Sequence, residues 1–582
     1  MKREDPLSLI FHFTDKQGDS RPLYFANPKK VITAHSIEDV LPQFQKVQEA
    51  IEQGNYAAGY VSYEAAPAFE QSFKVKDGAK MPLLWFGIFD KPEEEIPEKM
   101  TGAFNLAEWQ SETDSNAYRS GFQKIKSEIK KGNTYQVNYT MRLQSQFEGD
   151  DFAFFERLKR AQRSNYSAYL NVGSHRILSA SPELFFRWED GQLITRPMKG
   201  TVKRGTTLKG DQLNAEWLAA SEKNQAENYM IVDLLRNDLG MIAKPGSVEV
   251  PQLKAIEKYP TVWQMTSTIT ADTNPGTTII DIFKALFPCG SITGAPKIKT
   301  MEIIADIENS PREVYCGAIG FITPESEAVF NVPIRTVVID KETGKAEYGV
   351  GGGITWDSEL SEEYDEAFLK AKLLTVERPA YKLLESIKLS DGEYYLLNDH
   401  IDRMKQSAEY FDYRFSELYL RDRLQKYAEI NHGTLQKVRV LLHENGEIEV
   451  SGQAIKLLDP EFKAILAEAP ISSANPFLFH KTTNRDVYEG FQMNNPDFQD
   501  VLLWNEEGFI TEFTNGNVVV KINGDLYTPP VESGLLAGTF RQELIRKKEI
   551  KVKNISKADL NNAEEIWFIN SVRGKLKVNL TF

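Results

Sequence analysis

The sequence predicts a mixed α and β protein made of two functional units that meet near residue 378. The chain has 582 residues, and a single hydrophobic core stops growing well below that length. A long helical pattern is interrupted by Pro379, which predicts a helix end near Glu377. Beyond this point short β-rich runs alternate with helical ones. A proline-flanked acidic stretch at residues 91–100 is typical of a surface linker. It closes a first segment, residues 1–100, and leaves 101–377 and 378–582 as the main domains.

Composition narrows the class of protein. The chain is 41% hydrophobic and 26% charged, as in ordinary globular proteins. A net charge of −14 argues against nucleic-acid binding. No apolar run reaches the roughly 18 residues that span a bilayer, and we expect no secretory signal. Two cysteines exclude a disulfide framework and a four-cysteine zinc site. We therefore expect a cytoplasmic enzyme with no nucleic-acid or membrane partner.

A lysine lies in a short glycine-bounded loop of the first unit. Residues 196–201 read RPMKGT, with Lys199 between a Pro-Met pair and a Gly-Thr pair. A turn alone does not require an amine at this position. A reaction that uses a nucleophile, or a substrate that carries carboxylates, would require one.

Residues 225–240 have helical apolar spacing, with Gly240 placed to end the helix. The apolar stripe consists of Met230, Ile231, Leu234 and Leu235. Glu227 lies on the same stripe, where an unpaired carboxylate is costly unless it binds a metal or a cation. The alternative is an exposed carboxylate near the helix start, which the helix dipole favours.

Residues 361–374 repeat this pattern. Glu363, Glu366 and Lys370 share one edge of a predicted helix beside an apolar face. Two carboxylates there could hold Mg²⁺ together with substrate oxygens. The alternative is an exposed ion pair between Glu366 and Lys370, worth about 0.3–0.5 kcal/mol.

Two glycine-rich segments, residues 289–297 and 348–355, could offer backbone N–H groups to anions. Neither matches a nucleotide-binding pattern. Glycine-rich turns without a ligand are the alternative.

Taken together, these motifs resemble the chorismate-utilising enzymes, which include anthranilate, aminodeoxychorismate, isochorismate and salicylate synthases. The resemblance runs in order from about residue 110 to 375. The matching motifs are YQVNYT, SPELFF, RPMKGT, AENYMIVDLLRNDLG, GSITGAPK, YCGAIGF, IRT, GGGIT and EEYDEAFLK. In this family the loop has alanine in anthranilate synthases and lysine in aminodeoxychorismate synthases, so Lys199 indicates the second group.

The resemblance implies a reaction. A lysine amine that attacks C2 of chorismate and expels the C4 hydroxyl leaves C4 open to ammonia, which gives 4-amino-4-deoxychorismate. An amine nucleophile must be neutral, so its pKa must be lowered. Whether Lys199 acts as a nucleophile or as a general base stays open, and Glu183 is the candidate acid.

The resemblance also implies a ligand set. Glu227 and Glu366 would hold magnesium, with Glu363 close by. Arg335 and Lys370 would meet substrate carboxylates. The substrate pocket would be completed by Gly290, Ser291, Thr293, Gly294, Thr201 and Gly352.

Ammonia must come from elsewhere. Cys289 and Cys316 both lie in motifs of the first unit, so neither is available as a glutaminase nucleophile. We expect a separate glutamine amidotransferase subunit, or free ammonium in vitro.

The second unit has a different set of signals. Lys481 ends an apolar run, Glu512 lies in a strand-like stretch before a turn, and Gly538 and Thr539 precede a helix. A lysine, a carboxylate and a helix start that can hold phosphate are what a pyridoxal phosphate site requires. Singly, a surface lysine and an exposed strand carboxylate are the simpler interpretations.

In this order the motifs resemble the fold-type IV pyridoxal phosphate enzymes, over about residues 380–582. The resemblance makes Lys481 the Schiff-base lysine and Glu512 the partner of the pyridine nitrogen. Ser386 would assist proton transfer. The phosphate would be bound by Arg403, Gly538, Thr539 and Ser571. Enzymes of this class are commonly dimers, so a homodimer through this unit is one arrangement, and the oligomeric state stays open.

The two resemblances together predict an α+β chorismate-binding fold, in which helices cover β-sheets, followed by an α/β fold of two subdomains. The expected function is synthesis of 4-aminobenzoate for folate, through 4-amino-4-deoxychorismate and its cleavage by a lyase. One alternative is an anthranilate or salicylate synthase fused to a branched-chain or D-amino acid aminotransferase. Another is a degenerate second unit that only docks the glutaminase.

Overall fold

The computed structural model describes residues 6–15, 22–96, 102–375, 380–455 and 462–582. By its internal contacts the chain divides into two compact units. The first consists of Met1–Lys203 and Ala215–Arg378, and the second of Arg204–Asn214 and Pro379–Phe582. The end of the predicted linker, residues 97–100, and the helix end predicted at Glu377 lie outside the described residues.

The strands of the first unit are β1 Ser8–Phe13, β2 Leu23–Ala26, β3 Lys30–Ala34, β4 Tyr56–Val61, β5 Leu84–Phe89, β6 Phe104–Leu106, β7 Gln110–Ser111, β8 Gln136–Gly149, β9 Tyr166–Asn171, β10 His175–Ser181, β11 Leu184–Glu189, β12 Gln192–Arg196, β13 Met198–Lys203, β14 Glu249–Lys258, β15 Val262–Asp272, β16 Gly294–Ala295, β17 Ala318–Ile322, β18 Ala328–Asn331, β19 Thr336–Asp340 and β20 Lys345–Ile354. The helices up to residue 371 are α1 Ile37–Glu52, α2 Ala66–Phe69, α3 Ser115–Lys130, α4 Asp151–Gln162, α5 Leu208–Ala220, α6 Glu222–Gly240, α7 Ile279–Leu286, α8 Lys297–Ile307 and α9 Leu360–Ala371.

These strands form two ten-stranded sheets within the described residues. One has the order β16-β8-β20-β19-β10-β9-β1-β2, with β6 and β7 also paired to β8. The other has the order β13-β15-β12-β11-β18-β17-β4-β5-β3, with β14 paired to β15. The sheets share one hydrophobic core, in which the Phe11 and Phe321 ring centroids are 5.5 Å apart.

Several strands of this unit, such as β1, β5 and β9, are buried on both faces, which explains their continuous apolar runs. In β1, Leu9 and Phe11 enter the core between the sheets, whereas Ile10 enters the core beneath the helices. Successive strand residues point to opposite faces, so each face needs its own apolar set.

Helices cover the outer faces. Phe44 of α1 and Phe283 of α7 pack on the second sheet, with ring centroids 5.0 Å apart. Tyr118 of α3 and Ala367 of α9 belong to the core on the outer face of the first sheet. The α+β organisation predicted for this unit is confirmed.

Helix α6 differs in detail from its prediction. Its buried side chains include Ile231, Val232, Leu235 and Leu239. Gly240, which was predicted to cap the end of this helix, is instead its last residue, and the cap is Met241. The sequence pattern located the apolar face but placed its centre about one residue away.

The second unit contains, in chain order, β21 Leu383–Ser390, β22 Glu393–Tyr394, α10 Leu397–Phe411, α11 Glu417–Ile430, β23 Leu435–Leu442, β24 Ile448–Ala454, β25 Phe462–Leu466, α12 Asp486–Asn494, β26 Asp500–Trp504, β27 Ile510–Phe513, β28 Gly516–Ile522, β29 Asp525–Thr528, α13 Thr539–Arg546, β30 Lys551–Val552, α14 Lys557–Asn561, β31 Glu565–Asn570 and β32 Gly574–Thr581.

These elements form two subdomains. The described residues of the first make a four-stranded sheet, β22-β21-β23-β24, which packs on α10 and α11. The second contains an eight-stranded sheet, β27-β26-β25-β32-β31-β28-β29-β30, with a core of its own. Strands β23 and β24 form an antiparallel hairpin, and Gly446 in its turn has φ +94°. The predicted two-subdomain α/β fold is confirmed.

The segment Arg204–Asn214 belongs to this second unit through specific contacts. The Tyr410 hydroxyl donates to the Gly205 carbonyl at 2.7 Å, and the Arg204 guanidinium lies over the Tyr410 ring. Among the described residues, no helix is long and apolar enough to cross a membrane.

A buried ion pair ties several elements of the first unit together. Arg312 donates to the Glu308 carboxylate at 2.7 and 2.9 Å. It also donates to the Ile292 and Asn138 carbonyls at 2.8 Å each. Arg312 is 2% exposed, so its charge depends on these partners rather than on water.

We predict that Arg312→Met destabilises the first unit by about 3–5 kcal/mol, because it leaves the Glu308 carboxylate buried without its cation. Scanning calorimetry should show a lower melting temperature for the first unit. The control is Lys299→Met, which removes an exposed partner of Glu302 and should leave the transition in place. Equal effects of the two substitutions would contradict the prediction.

Candidate active sites

Lys199 lies on β13, at an irregularity of the second sheet. The pairing of β13 with β15 shifts register between Met198 and Thr201, so one extra residue is accommodated there. Gly200 has φ +90°, a conformation that favours glycine. The bulge turns Lys199 into the protein, where it is 9% exposed. Burial lowers the pKa of Lys199, although Glu227 and Glu183 partly oppose this effect.

Gln136 lies beside Lys199 and was missed in the sequence. A Cβ atom added to Gly353 would lie 2.4 Å from Gln136 Nε2 and 3.2 Å from Lys199 Nζ. The side chain of Gln136 is fully buried, and neither amide atom has a hydrogen-bond partner among the described residues. A buried amide without a partner is costly, so this one is suited to bind a substrate or water. The only signal was a polar residue in a buried strand.

Glu183 meets the glycine-rich segment. The Ser291 hydroxyl donates to Glu183 Oε1 at 2.5 Å. Burial raises the pKa of Glu183 to about 7, with Ser291 and Lys199 acting in the opposite direction. A carboxyl group with this pKa can donate a proton near neutral pH.

The segment around Ser291 depends on glycines. A Cβ at Gly294 would lie 2.0 Å from the Gln136 carbonyl, and one at Gly290 would lie 2.6 Å from Leu234 Cδ2. The Thr293 hydroxyl donates to the Cys289 and Gly290 carbonyls at 3.1 and 3.2 Å. Thr293 therefore stabilises the turn that presents Ser291.

The carboxylates of α9 meet next to Gly352. A Cβ there would lie 3.3 Å from Glu363 Oε2, 3.6 Å from Lys370 Nζ and 3.9 Å from Glu366 Oε1. Lys370 Nζ contacts Glu366 Oε1 at 2.7 Å and donates to the Gly351 carbonyl at 2.8 Å. Glu363 is buried rather than on an exposed ion-pair face, and it accepts from the Ser358 hydroxyl at 2.6 Å.

These carboxylates suit a cation. Burial raises the pKa of Glu227 and of Glu363, and Glu366 adds to both shifts. Hard carboxylate oxygens are the ligands that Mg²⁺ prefers, usually completed by substrate and water oxygens. Among the described residues, no group of three or more His, Cys, Asp or Glu side chains is arranged so that it could hold a metal ion by itself. The residues therefore fit a magnesium ion only with further oxygen ligands.

Arg335 and Thr201, two further predicted substrate ligands, also have protein partners in this structure. Arg335 Nη1 donates to the Lys370 carbonyl at 2.5 Å, which places its guanidinium at the end of α9. The Thr201 hydroxyl donates to Gln264 Oε1 at 3.0 Å. Their roles as substrate ligands stay predictions.

The second unit contains a cavity of about 1030 Å³. Its lining contains all seven residues predicted there, namely Lys481, Glu512, Ser386, Arg403, Gly538, Thr539 and Ser571. Gly538 is the N-cap of α13 and Thr539 its first residue. The structure thus brings together an amine, a carboxylate and a helix start, and this donor set fits pyridoxal phosphate.

The two reactive groups of this cavity have shifted pKa values. Burial lowers the pKa of Lys481 to about 8, and Arg403 acts in the same direction. Burial raises the pKa of Glu512 to about 8. Glu512 accepts from the Tyr488 hydroxyl at 2.9 Å and from Asn517 Nδ2 at 3.1 Å. These two hydrogen bonds fix its carboxyl group at the cavity wall.

One wall of the cavity is basic, and this feature was not predicted from the sequence. Lys437 and Arg439 alternate along β23 and line the cavity with Arg485. Burial lowers the pKa of Lys437, and neighbouring arginines, including Arg439 and Arg485, add to the shift. Arg485 donates to the Thr514 carbonyl at 2.8 Å. These cations suit an anionic substrate. In the sequence, this wall was indicated only by the alternation of basic and apolar residues in a β-rich run.

The folds and the two sets of residues define a chorismate-binding unit and a class IV aminotransferase-like unit. A family model described as chorismate binding enzyme matches residues 9–376. A model described as amino-transferase class IV matches residues 382–580. The first match covers more than half of the chain, so the protein belongs to the chorismate-binding enzyme family.

Named relatives agree with this assignment. Aminodeoxychorismate synthase component 1 of Salmonella typhimurium is 42% identical over 274 residues, which are 47% of this chain and 59% of that protein. The Bacillus subtilis protein of the same name is 38% identical over 414 residues, 64% of this chain and 85% of its own length. The structure of anthranilate synthase component I from Streptococcus pneumoniae has a TM-score of 0.52 at 24% identity, over 64% of this chain and 91% of that one. That structure supports the fold alone.

We predict that Lys481 reacts as a neutral amine at lower pH than an exposed lysine does. Its pKa of about 8 means that half of its amine is neutral near pH 8, and the neutral fraction rises with pH. Competitive acetylation of the cofactor-free protein, read by mass spectrometry, should give its titration midpoint. Lys426, which is 67% exposed, is the reference. The prediction is wrong if the two lysines titrate together.

Proposed function

We propose that the first unit converts chorismate and ammonia into 4-amino-4-deoxychorismate, and that the second unit cleaves this product into 4-aminobenzoate and pyruvate. The observation that carries the proposal is Lys199, an amine buried near Glu183 and Glu227 in a chorismate-binding fold. The Salmonella and Bacillus relatives are named for the first of these reactions. The chain spans 59% of the Salmonella protein.

The first half of the reaction opens C4. Lys199 attacks C2 of chorismate with its neutral amine, and the ring double bond shifts as the C4–O bond breaks. Glu183 supplies the proton, so the hydroxyl leaves as water. This direction of proton transfer needs a protonated carboxyl group, which the raised pKa of Glu183 provides at neutral pH.

The second half introduces nitrogen. Ammonia adds at C4, the double bonds shift back, and the C2–N bond breaks to release Lys199 as a neutral amine. The added ammonium group returns one proton to Glu183. Chorismate and ammonia thus give 4-amino-4-deoxychorismate and water, and both residues recover their starting states.

The carboxylates of chorismate need cationic partners. Glu227 and Glu366, with Glu363 beside them, would hold a magnesium ion that offsets the ring carboxylate. Lys370 and Arg335 would meet substrate carboxylates directly.

In the second unit, Lys481 would hold pyridoxal phosphate, with Glu512 at its pyridine nitrogen and Arg403, Gly538, Thr539 and Ser571 at its phosphate. The cofactor draws electrons away from the carbon that bears the substrate amine. Lys481 can then accept the proton released from C4, with Ser386 placed to assist. Loss of this proton from C4 and cleavage of the C3–O bond would make the ring aromatic, and the enolpyruvate released would take up a proton to become pyruvate.

The basic wall favours the lyase over an aminotransferase that acts on branched-chain amino acids. The substrate 4-amino-4-deoxychorismate carries two carboxylates, whereas a branched-chain amino acid carries one. The wall formed by Lys437, Arg439 and Arg485 offers more than one cation to an anionic substrate. A degenerate scaffold would not need these residues around a cavity.

A separate glutamine amidotransferase would supply the ammonia. Burial raises the pKa of Cys289 to about 12 and that of Cys316 to about 11. Only the thiolate is a nucleophile, so neither of the two cysteines of this chain suits glutamine hydrolysis. The relatives named component 1 are consistent with a second component.

We predict that purified protein with chorismate, ammonium, magnesium and pyridoxal phosphate forms 4-aminobenzoate. Lys199→Ala should lower the rate by at least about 10²-fold, because no general base or nucleophile remains at C2. Lys481→Ala should accumulate 4-amino-4-deoxychorismate. Lys203→Ala, an exposed position of the same strand as Lys199, is the control.

Chromatography of the aromatic amines separates the outcomes. Anthranilate as the product would contradict the assignment of the first unit. Accumulation of 4-amino-4-deoxychorismate by the wild-type protein would leave the first reaction in place and remove the lyase.

We predict that Lys437→Gln raises the KM for 4-amino-4-deoxychorismate about tenfold or more, since a hydrogen bond to a charged group is worth about 1.5–3 kcal/mol. The visible absorbance of the bound cofactor should not change. Lys426→Gln, on the exposed side of α11, is the control. An unchanged KM in steady-state assays would show that the substrate carboxylates bind elsewhere.

A further inference from the structure

A buried charge cluster lies behind the phosphate end of the second cavity. Glu385 on β21 is 2% exposed and accepts three hydrogen bonds. Arg403 donates to it through Nε at 2.8 Å and Nη2 at 2.7 Å. His400 Nδ1 contacts it at 2.7 Å. Burial alone would favour the neutral acid, but Arg403 and His400 hold the pKa of Glu385 well below its usual range.

An ionised Glu385 fixes the tautomer of His400. A carboxylate only accepts hydrogen bonds, so Nδ1 of His400 must carry a proton. The other ring nitrogen, Nε2, then faces two hydroxyl groups. It lies 3.0 Å from Ser571 Oγ and 3.2 Å from Thr539 Oγ1.

Without an anion in the cavity, Nε2 acts as an acceptor. Burial lowers the pKa of His400, and Arg403 and Lys481 add to this effect while Glu385 opposes it. These three residues are the charged groups that face the His400 ring: Glu385 lies on β21, Arg403 on the same helix as His400, and Lys481 on a loop. Helix α13 and the turn after β31 present the hydroxyls of Thr539 and Ser571. One of these hydroxyls therefore points its hydrogen at Nε2.

A phosphate dianion reverses this requirement. Its oxygens only accept hydrogen bonds, so a hydroxyl whose hydrogen is committed to Nε2 cannot donate to the phosphate. A proton on Nε2 makes His400 a hydrogen-bond donor. Neither hydroxyl then has to donate to Nε2, so both hydroxyls can donate to the phosphate. A nearby dianion also favours the protonated imidazole electrostatically.

We propose that His400 takes up one proton when a phosphate group binds beside Thr539 and Ser571, and that this proton turns both hydroxyls toward the phosphate as donors. His400 is then a positioning residue, one step removed from the ligand. The inference rests on the proposal that this cavity binds a phosphate-bearing pyridoxal cofactor.

The sign of the pH dependence follows from the proton uptake. Since His400 binds its proton more tightly in the complex, affinity is greatest at low pH and falls as pH rises toward the pKa of the complex. Between the two pKa values of His400, free and bound, Kd should rise about tenfold per pH unit.

The test uses pyridoxine 5′-phosphate, which lacks the aldehyde and cannot react with Lys481. Calorimetric titrations of the full chain at pH 8, in buffers with different ionisation enthalpies, count the protons taken up on binding. The phosphate itself is a dianion there, since its second pKa is about 6. Lys481 and Glu512 also titrate near this pH, so the count is compared between wild type and His400→Gln. His432→Gln, at an exposed position, is the matched control.

We expect the wild type and His432→Gln to take up nearly one proton more than His400→Gln, with tighter binding. Nitrogen NMR of labelled histidine in the wild-type protein should show His400 changing from neutral to protonated, a result that needs no variant. Binding without protonation of His400 would overturn this inference and leave the cofactor assignment intact. Absence of binding would overturn both.

Discussion

Both candidate sites place a lysine amine where burial disfavours its charged form. Lys199 is buried at a strand irregularity and Lys481 lines a cavity, and in each case burial is the largest influence on the pKa. A neutral amine is a nucleophile and a proton acceptor, whereas an ammonium is neither. The surrounding carboxylates and cations then set how far each pKa is lowered.

The two units achieve this burial by different means. In the first, Gly200 allows the irregular backbone that directs Lys199 inward, and Gly353 leaves space between Lys199 and Gln136. In the second, the cavity lies against the cationic face of β23 and the start of α13. In the first unit, glycine leaves space because it has no side chain. In the second unit, successive residues of β23 point to opposite faces, so the strand has one apolar face and one charged face.

The sequence predicted those features that depend on local spacing. Glu363, Glu366 and Lys370 meet beside Gly352 because a helix repeats every 3.6 residues. Glu512 precedes a turn, and Thr539 begins a helix, as their flanking residues indicated. The end of α6 was predicted less well, because a glycine can be either the last residue of a helix or the cap that follows it.

The residues that were missed depend on distant partners. Gln136 matters because Gly353 and Lys199 lie beside it, and neither is near it in sequence. The role inferred for His400 depends on its contacts with Glu385, Thr539 and Ser571. These residues lie on β21, at the start of α13 and in the turn after β31. No periodic pattern encodes such meetings, since they arise only when separate elements pack together.

The grouping of Arg204–Asn214 with the second unit has a consequence for the biosynthesis of the chain. Tyr410, which donates to Gly205, is added by the ribosome roughly two hundred residues later, at about 5–20 residues per second. The segment therefore waits many seconds for its partner, while the strand just before it, β13, can already pair. A polypeptide cut at residue 378 would place this segment and the unit it packs with on different molecules. Along the chain, a short piece of the second unit thus lies within the sequence of the first unit, and the rest of the second unit follows it.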